Sequence, residues 1–172
     1  ELVELERLDE VKIKDLFNSC SVCVNLIGIL YEKNKGQFNK IHSVLPNILS
    51  KIAKEKKIDQ FIHVSALGVE NVSNSVYAKS KLDGETNVKK NFKNSLILKP
   101  SIVYGIDDNF TTNFMSLLSK LPIMPLYYNG ETKVVPIHVS DLAEIIYQMI
   151  SKELKNETIE CIGPEILSFK EI

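Results

Sequence analysis

Short apolar runs of strand length alternate with stretches of helical length through the first hundred residues, and that alternation constrains the fold more than any other feature. The strand-like runs are 20–28 (Cys-Ser-Val-Cys-Val-Asn-Leu-Ile-Gly), 60–65 (Gln-Phe-Ile-His-Val-Ser) and 95–100 (Ser-Leu-Ile-Leu-Lys-Pro). Between the first two, Phe38, Ile41, Leu45, Ile48, Leu49 and Ile52 keep helical spacing over 38–58, where Pro46 must kink the helix or mark its first turn. A polar helix is expected over 77–92, and a shorter one before the first strand over 9–17. Later come expected helices over 110–121 and 141–152, an extended piece over 133–139 and a last strand over 158–162. Strands separated by helices of this length pair parallel through crossovers, which gives an α/β fold with a doubly wound, Rossmann-like parallel sheet. Such sheets bind ligands beyond the carboxyl ends of their strands. The residues just after Leu26, Val64 and Leu98 are therefore the ones to inspect.

The 172 residues suit a single domain, 1–172. A net charge of -1 gives no pull toward nucleic acid or an anionic membrane, and no apolar run reaches the length of a membrane span. The basic residues are nearly all Lys, with Arg7 the only arginine, which reads as biased base composition of the source genome, since bidentate phosphate or carboxylate clamps would favour Arg. Cys20-x-x-Cys23 lies in a strand-like run without a second pair or a His cluster, and reads as two buried thiols rather than half a zinc site. No metal site is expected.

Tyr77-x-x-x-Lys81 sets a phenol and an ammonium one helical turn apart on the same face. The ammonium is expected to favour the phenolate and lower the tyrosine's pKa, and it can hydrogen-bond ribose hydroxyls. Asp141-x-x-Glu144 and Ser168-x-x-Glu171 both read as helix capping boxes. The second lies one residue before Ile172, so a further helix is expected beyond it. His63 and His138 fall in strand-like pieces and read as core or edge histidines, and Asp141 as a cap rather than an acid.

Five pieces occur here in the order found in extended and atypical short-chain dehydrogenase/reductase (SDR) proteins: Val24-Asn-Leu-Ile-Gly28, Phe61-Ile-His-Val-Ser65, Tyr77-x-x-x-Lys81 with Gly84-Glu85, Leu98-Lys-Pro-Ser-Ile-Val-Tyr-Gly105, and Pro136-Ile-His-Val-Ser-Asp-Leu-Ala143. The chain resembles that NAD-dependent epimerase/dehydratase-like family. More narrowly it resembles the NAD(P)H-binding, SDR-like accessory subunits of respiratory complex I and their bacterial relatives. The narrower likeness rests on Phe61-Ile-His-Val-Ser-Ala-Leu-Gly68, on Gly105-x-x-Asp108-x-Phe110 and on Thr132-Lys-Val-Val-Pro-Ile-His-Val-Ser-Asp141.

The resemblance implies NAD(P)H as cofactor, without deciding between NADH and NADPH. It implies that Gly28 lets the adenosine half approach the backbone and that Ser65 sits beside the nicotinamide. Tyr77 and Lys81 would hold the nicotinamide ribose and are the catalytic pair if there is catalysis. Pro100, Ser101 and Ile102 would line the nicotinamide and offer backbone groups to its carboxamide, and Gly105 would permit the following turn. Two departures argue against turnover. Enzymes of the family place a Ser or Thr after the residue matching Ser65 to polarise the substrate carbonyl, and this chain has Ala66. The stretch from Ser65 to Tyr77 is also shorter than in sugar epimerases and dehydratases. None of the seven glycines forms Gly-x-x-Gly-x-x-Gly. The family's first strand and phosphate loop are thus expected before Glu1, and the chain by itself is expected to bind dinucleotide poorly.

The function implied is a structural, stabilising accessory subunit of complex I, with the dinucleotide and other complex I subunits as partners. The implied location is the bacterial cytoplasm, peripheral on the inner membrane, or the mitochondrial matrix side. The alternatives are an NAD(P)-dependent epimerase, dehydratase or reductase acting on a sugar nucleotide or quinone-like compound, and an atypical SDR protein supporting ubiquinone biosynthesis.

Overall fold

The Asp9 carboxylate accepts the N–H groups of Val11 and Lys12 at 3.1 and 3.3 Å, an N-cap that starts helix α1 (Glu10–Leu16). In this computed structural model, which describes residues 3–4, 9–106, 108, 130–152, 154–168 and 170–171, α1 leads into strand β1 (Val22–Asn25). β1 is shorter than its apolar run. The Ile27 N–H donates to Asn25 Oδ1 at 3.2 Å, an Asx turn that ends the strand and leaves Leu26 and Ile27 exposed. Nor are Cys20 and Cys23 two buried thiols. Cys20 precedes the strand and is exposed, and only Cys23 is half-buried, where burial pushes its thiol up to about 12.

A π-helical turn (Asn39–Val44) runs directly into helix α2 (Leu45–Glu55). Pro46 stands in the first turn of α2, directly after the π turn, and so marks that turn. β2 (Gln60–Val64), α3 (Val76–Asn91) and β3 (Ser95–Pro100) follow. β1 pairs parallel with β2, Val22 against Gln60, and β2 parallel with β3, Phe61 against Ser95. The four-stranded order is β1-β2-β3-β7, with β7 spanning Thr158–Cys161. This is the α/β, parallel-sheet, Rossmann-like fold. β2 and β3 are buried almost throughout, as parallel strands covered on both faces must be.

The chain divides into two compact units, Glu1–Leu98 with Glu153–Ile159, and Lys99–Lys152 with Glu160–Ile172. In the first, α1, α2, α3 and the residues capping α1 and α3 bury Ile13, Phe17, Leu49, Ile52, Val88 and Phe92 in one apolar cluster with Phe61 and Ile97 of the sheet. A polar seam joins α2 to α3: the Asn91 amide donates to Asn47 Oδ1 at 2.9 Å and to Ser50 Oγ at 3.0 Å. At the start of the seam the backbones nearly touch. A Cβ on Gly84 would lie 1.9 Å from the His42 carbonyl oxygen, so only glycine fits there.

In the second unit β4 (Val103–Tyr104) pairs parallel with β6 (Ile137–His138), and β5 (Lys133–Val134) antiparallel with β8 (Leu167–Ser168), a strand the pattern did not suggest. Helix α4 (Val139–Ser151) starts before the expected position. Its cap is His138, whose Nδ1 accepts the Ser140 N–H at 3.3 Å, which puts Asp141 inside the first turn instead of at the cap. Half of the Ser168–Glu171 box is present: Glu171 Oε2 accepts the Ser168 N–H at 2.7 Å. The expected helix over 110–121 lies outside the described residues. Among the described residues no helix is long and apolar enough to cross a membrane.

Candidate functional site

The carboxyl ends of β1 and β2 and the first turns of α3 bring the sequence-derived residues of the first unit together. Ser75 caps α3 through its hydroxyl, which accepts the Ala78 N–H at 3.2 Å, and the 3.6-residue repeat then carries Tyr77, Lys81 and Glu85 down one face. Lys81 is buried, 5% exposed. Among the described residues its ammonium has one hydrogen bond, a 3.4 Å contact to the Val64 carbonyl oxygen at the end of β2. That is long for such a bond, and an ammonium has three hydrogens to place. Burial pulls its pKa down to about 8, against the upward pull of Glu85 one turn on.

Gly28 faces this ammonium. A Cβ added there would sit 3.3 Å from Lys81 Nζ and 3.8 Å from His42 Nε2. Glycine thus keeps clear the space in front of a charge with donors to spare.

Two histidines border the charge, and both are neutral for a reason the hydrogen bonds make explicit. His42, 1% exposed, accepts the Ile29 N–H on Nε2 at 3.1 Å, so Nδ1 carries the proton and meets Ser80 Oγ at 3.0 Å. Ser80 in turn donates to the Tyr77 carbonyl at 2.7 Å. Burial and then Lys81 push His42 down to about 4. His63, also 1% exposed, meets the Asn25 amide through Nδ1 at 3.0 Å; since Asn25 Oδ1 is taken by Ile27, the amide donates and His63 holds its proton on Nε2. That Nε2 is buried without a partner among the described residues. Burial, Lys81 and His42 hold His63 down at about 3. The site is therefore rich in buried donors with few acceptors, which suits a ligand rich in oxygen acceptors.

One expectation about this site changes, and other groups expected in it are already engaged. Tyr77 does not have its pKa lowered by Lys81; the ring is packed edge-on against Phe38 and His42, at 5.5 and 5.2 Å between centroids, and burial raises it. Ser65 is buried with its hydroxyl already donated to Glu85 Oε1 at 2.6 Å, so it serves the α3 carboxylate. Ala66 follows it without a hydroxyl. In the second unit Pro100 is the buried last residue of β3, while the Ser101 N–H is committed to the Cys161 carbonyl at 3.0 Å and the Ile102 carbonyl to the Ile137 N–H at 2.8 Å. Those two backbone groups are each engaged with a neighbouring segment of the second unit. Of the strand-borne histidines, His63 is a core residue and His138 is a helix cap. His42 escaped the sequence reading. The available signal was a polar ring inside the apolar stripe Phe38, Ile41, Leu45, where it must find partners.

The family model described as RmlD substrate binding domain matches residues 70–163. The mitochondrial NADH dehydrogenase (ubiquinone) 1 alpha subcomplex subunit 9 of Mus musculus is 26% identical over 163 residues, which are 94% of this chain and 43% of that protein. Ceramide reductase of Caulobacter vibrioides is 28% identical over 128 residues, 74% of this chain and 40% of that protein. The chain thus spans less than half the length of these relatives. Among solved structures, UDP-glucuronic acid 4-epimerase from Bacillus cereus in complex with NAD superposes with a TM-score of 0.78 at 22% identity, covering 95% of this chain and 61% of that one.

Proposed function

The chain belongs to the RmlD substrate binding domain family, and on that premise we propose that it holds NAD(P)H as a structural, stabilising accessory subunit of respiratory complex I. The observation that carries the reading is the buried Lys81 ammonium, with a single long hydrogen bond among the described residues and Gly28 in front of it. A buried charge that its neighbours only partly compensate costs up to several kcal/mol, by the usual order of magnitude, and a ligand that supplies the missing acceptors offsets that cost. A dinucleotide suits the donors. Gly28 would admit its adenosine half close to the backbone, Lys81 and Tyr77 would hold the nicotinamide ribose, and the β2 end at Ser65 would lie beside the nicotinamide. When bound, the nicotinamide supplies a hydride donor or acceptor.

This chain's own residues do little to use that hydride. Ala66 has no hydroxyl, the Ser65 hydroxyl donates its hydrogen bond to Glu85, and the buried Tyr77 phenol is a poorer acid than a free one. A missing donor at a developing oxyanion typically costs about a hundred- to a thousandfold in rate. The similarity to the mouse NADH dehydrogenase subunit supports the accessory role. The second reading, a reductase or epimerase, draws on the similarity to ceramide reductase and on the Tyr77–Lys81 pair itself.

Nicotinamide absorbance with the complete protein, against a panel of sugar nucleotides, quinones and ceramide-type carbonyl substrates, separates the two. Negligible turnover together with co-purification of complex I subunits is the expected result. Turnover near the ordinary enzyme median of about 10 per second on any of them would replace the accessory reading by the enzymatic one.

A further inference from the structure

We infer that His42 is a positioning residue of this site, a neutral imidazole that fixes the Gly28–Ile29 loop against the Tyr77–Lys81 face of α3. The inference rests on the nucleotide-holding reading above and names the residue that shapes that site. Four observations converge on it. The π turn Asn39–Val44 adds a residue to the helical turn, the kind of insertion that re-aims a side chain, and His42 lies at its centre, fully buried. The ring's two nitrogens reach the two walls of the site, Nε2 taking the Ile29 N–H at 3.1 Å and Nδ1 facing Ser80 Oγ at 3.0 Å. Ser80 passes the connection to the carbonyl of Tyr77. The ring plane is set by stacking on Phe38 at 5.3 Å and by the edge contact with Tyr77 at 5.2 Å. Gly84 completes the arrangement, since only a residue without Cβ lets the His42 carbonyl lie against α3.

The division of labour between the two nitrogens makes the role specific. Without the Nε2 acceptor the Ile29 amide loses its one partner among the described residues, and the loop around Gly28 is then held only on its other side, by the Ile27 N–H on Asn25 Oδ1. Glutamine at this position extends far enough to offer an oxygen in place of Nε2. Alanine offers neither group, and asparagine is too short to reach Ile29.

The test measures two things in the complete protein and in its His42→Ala, His42→Gln and Lys81→Ala variants: hydrogen exchange at the Ile29 amide, and affinity for NADH and NADPH by titration calorimetry. The expected result for His42→Ala is Ile29 exchange faster by about tenfold and affinity weaker by about three- to tenfold, the effect of one neutral hydrogen bond. His42→Gln is expected to recover most of both, and Lys81→Ala to lose affinity with Ile29 exchange unchanged. Unchanged Ile29 exchange in His42→Ala overturns the inference. So does unchanged affinity in His42→Ala while Lys81→Ala binds poorly, which leaves the nucleotide site standing without His42. Unchanged affinity in Lys81→Ala overturns the nucleotide reading, and the positioning role with it. If His42→Ala does not fold, His42→Gln carries the decision against a His42→Asn variant: equal affinity and equal Ile29 exchange in the two contradict a role for the Nε2 acceptor.

Discussion

At the scale of single residues the site is centred on a charge that the fold keeps at a cost. Lys81 titrates near 10.5 when exposed and at about 8 when folded, because burial disfavours the ammonium more than Glu85 favours it. Below about pH 8 both states are charged and the folded state bears the cost. From there to about 10.5 the folded protein gives up the proton first, so stability rises with pH across that window. Lys81→Met should therefore stabilise the nucleotide-free protein at pH 7 by about 1–3 kcal/mol and remove the alkaline rise. Urea unfolding at pH 7 and pH 10 measures both, and a destabilised variant at pH 7 would mean that the charge is better solvated than its surroundings imply. His42 and His63 act in the opposite pH range. Their folded values of about 4 and about 3 lie below the ordinary 6.5, so their contribution is complete above pH 6.5 and is lost as pH falls below it, when the unfolded chain takes up protons first. The urea midpoint is expected to drop steadily between pH 6.5 and pH 4, and His42→Gln to flatten part of that slope. A midpoint flat across this range would contradict neutral burial of the two rings.

The elements show which parts of the site a one-dimensional pattern can carry. Parallel pairing followed from strand runs separated by helix-length stretches, and Tyr77, Lys81 and Glu85 share a face because four residues is close to one helical turn. Where single side chains overrode the pattern, the pattern misled. The apolar run through Leu26 and Ile27 continues as if the strand did, but the Asn25 side chain turns the chain at β1's end. The capping-box spacing of Asp141 and Glu144 is present, yet His138 reaches the amide of Ser140 and starts α4 earlier. Neither competition between a local cap and its neighbour leaves a mark in periodicity. The π turn is of the same kind. It gives no periodic signal, and within it the His42 carbonyl packs closely on Gly84. Gly84→Ala should accordingly cost about 1–3 kcal/mol, because the obstruction is backbone and cannot swing aside, and it should also accelerate exchange at the Ile29 amide through His42. Urea unfolding of the variant checks the first effect and hydrogen exchange the second. A variant of unchanged stability would show that the π turn has room to move.

For the molecule as a whole, a nucleotide that binds only the folded state stabilises it by RT ln(1 + [L]/Kd), which makes a cofactor useful to an accessory subunit even without turnover. That logic depends on Lys81 meeting the ligand. The donors around it, the long bond to Val64, single among the described residues, and the clearance at Gly28 are the grounds for placing the ribose there. Titration calorimetry of NADH and NADPH into the complete protein and its Lys81→Ala variant is the most direct measurement of that claim. The expected result is a loss of about 1.5–3 kcal/mol, the scale of a charge-assisted hydrogen bond, with a smaller loss for Tyr77→Phe. An affinity in Lys81→Ala equal to that of the unmodified protein would remove Lys81 from the site and contradict the account.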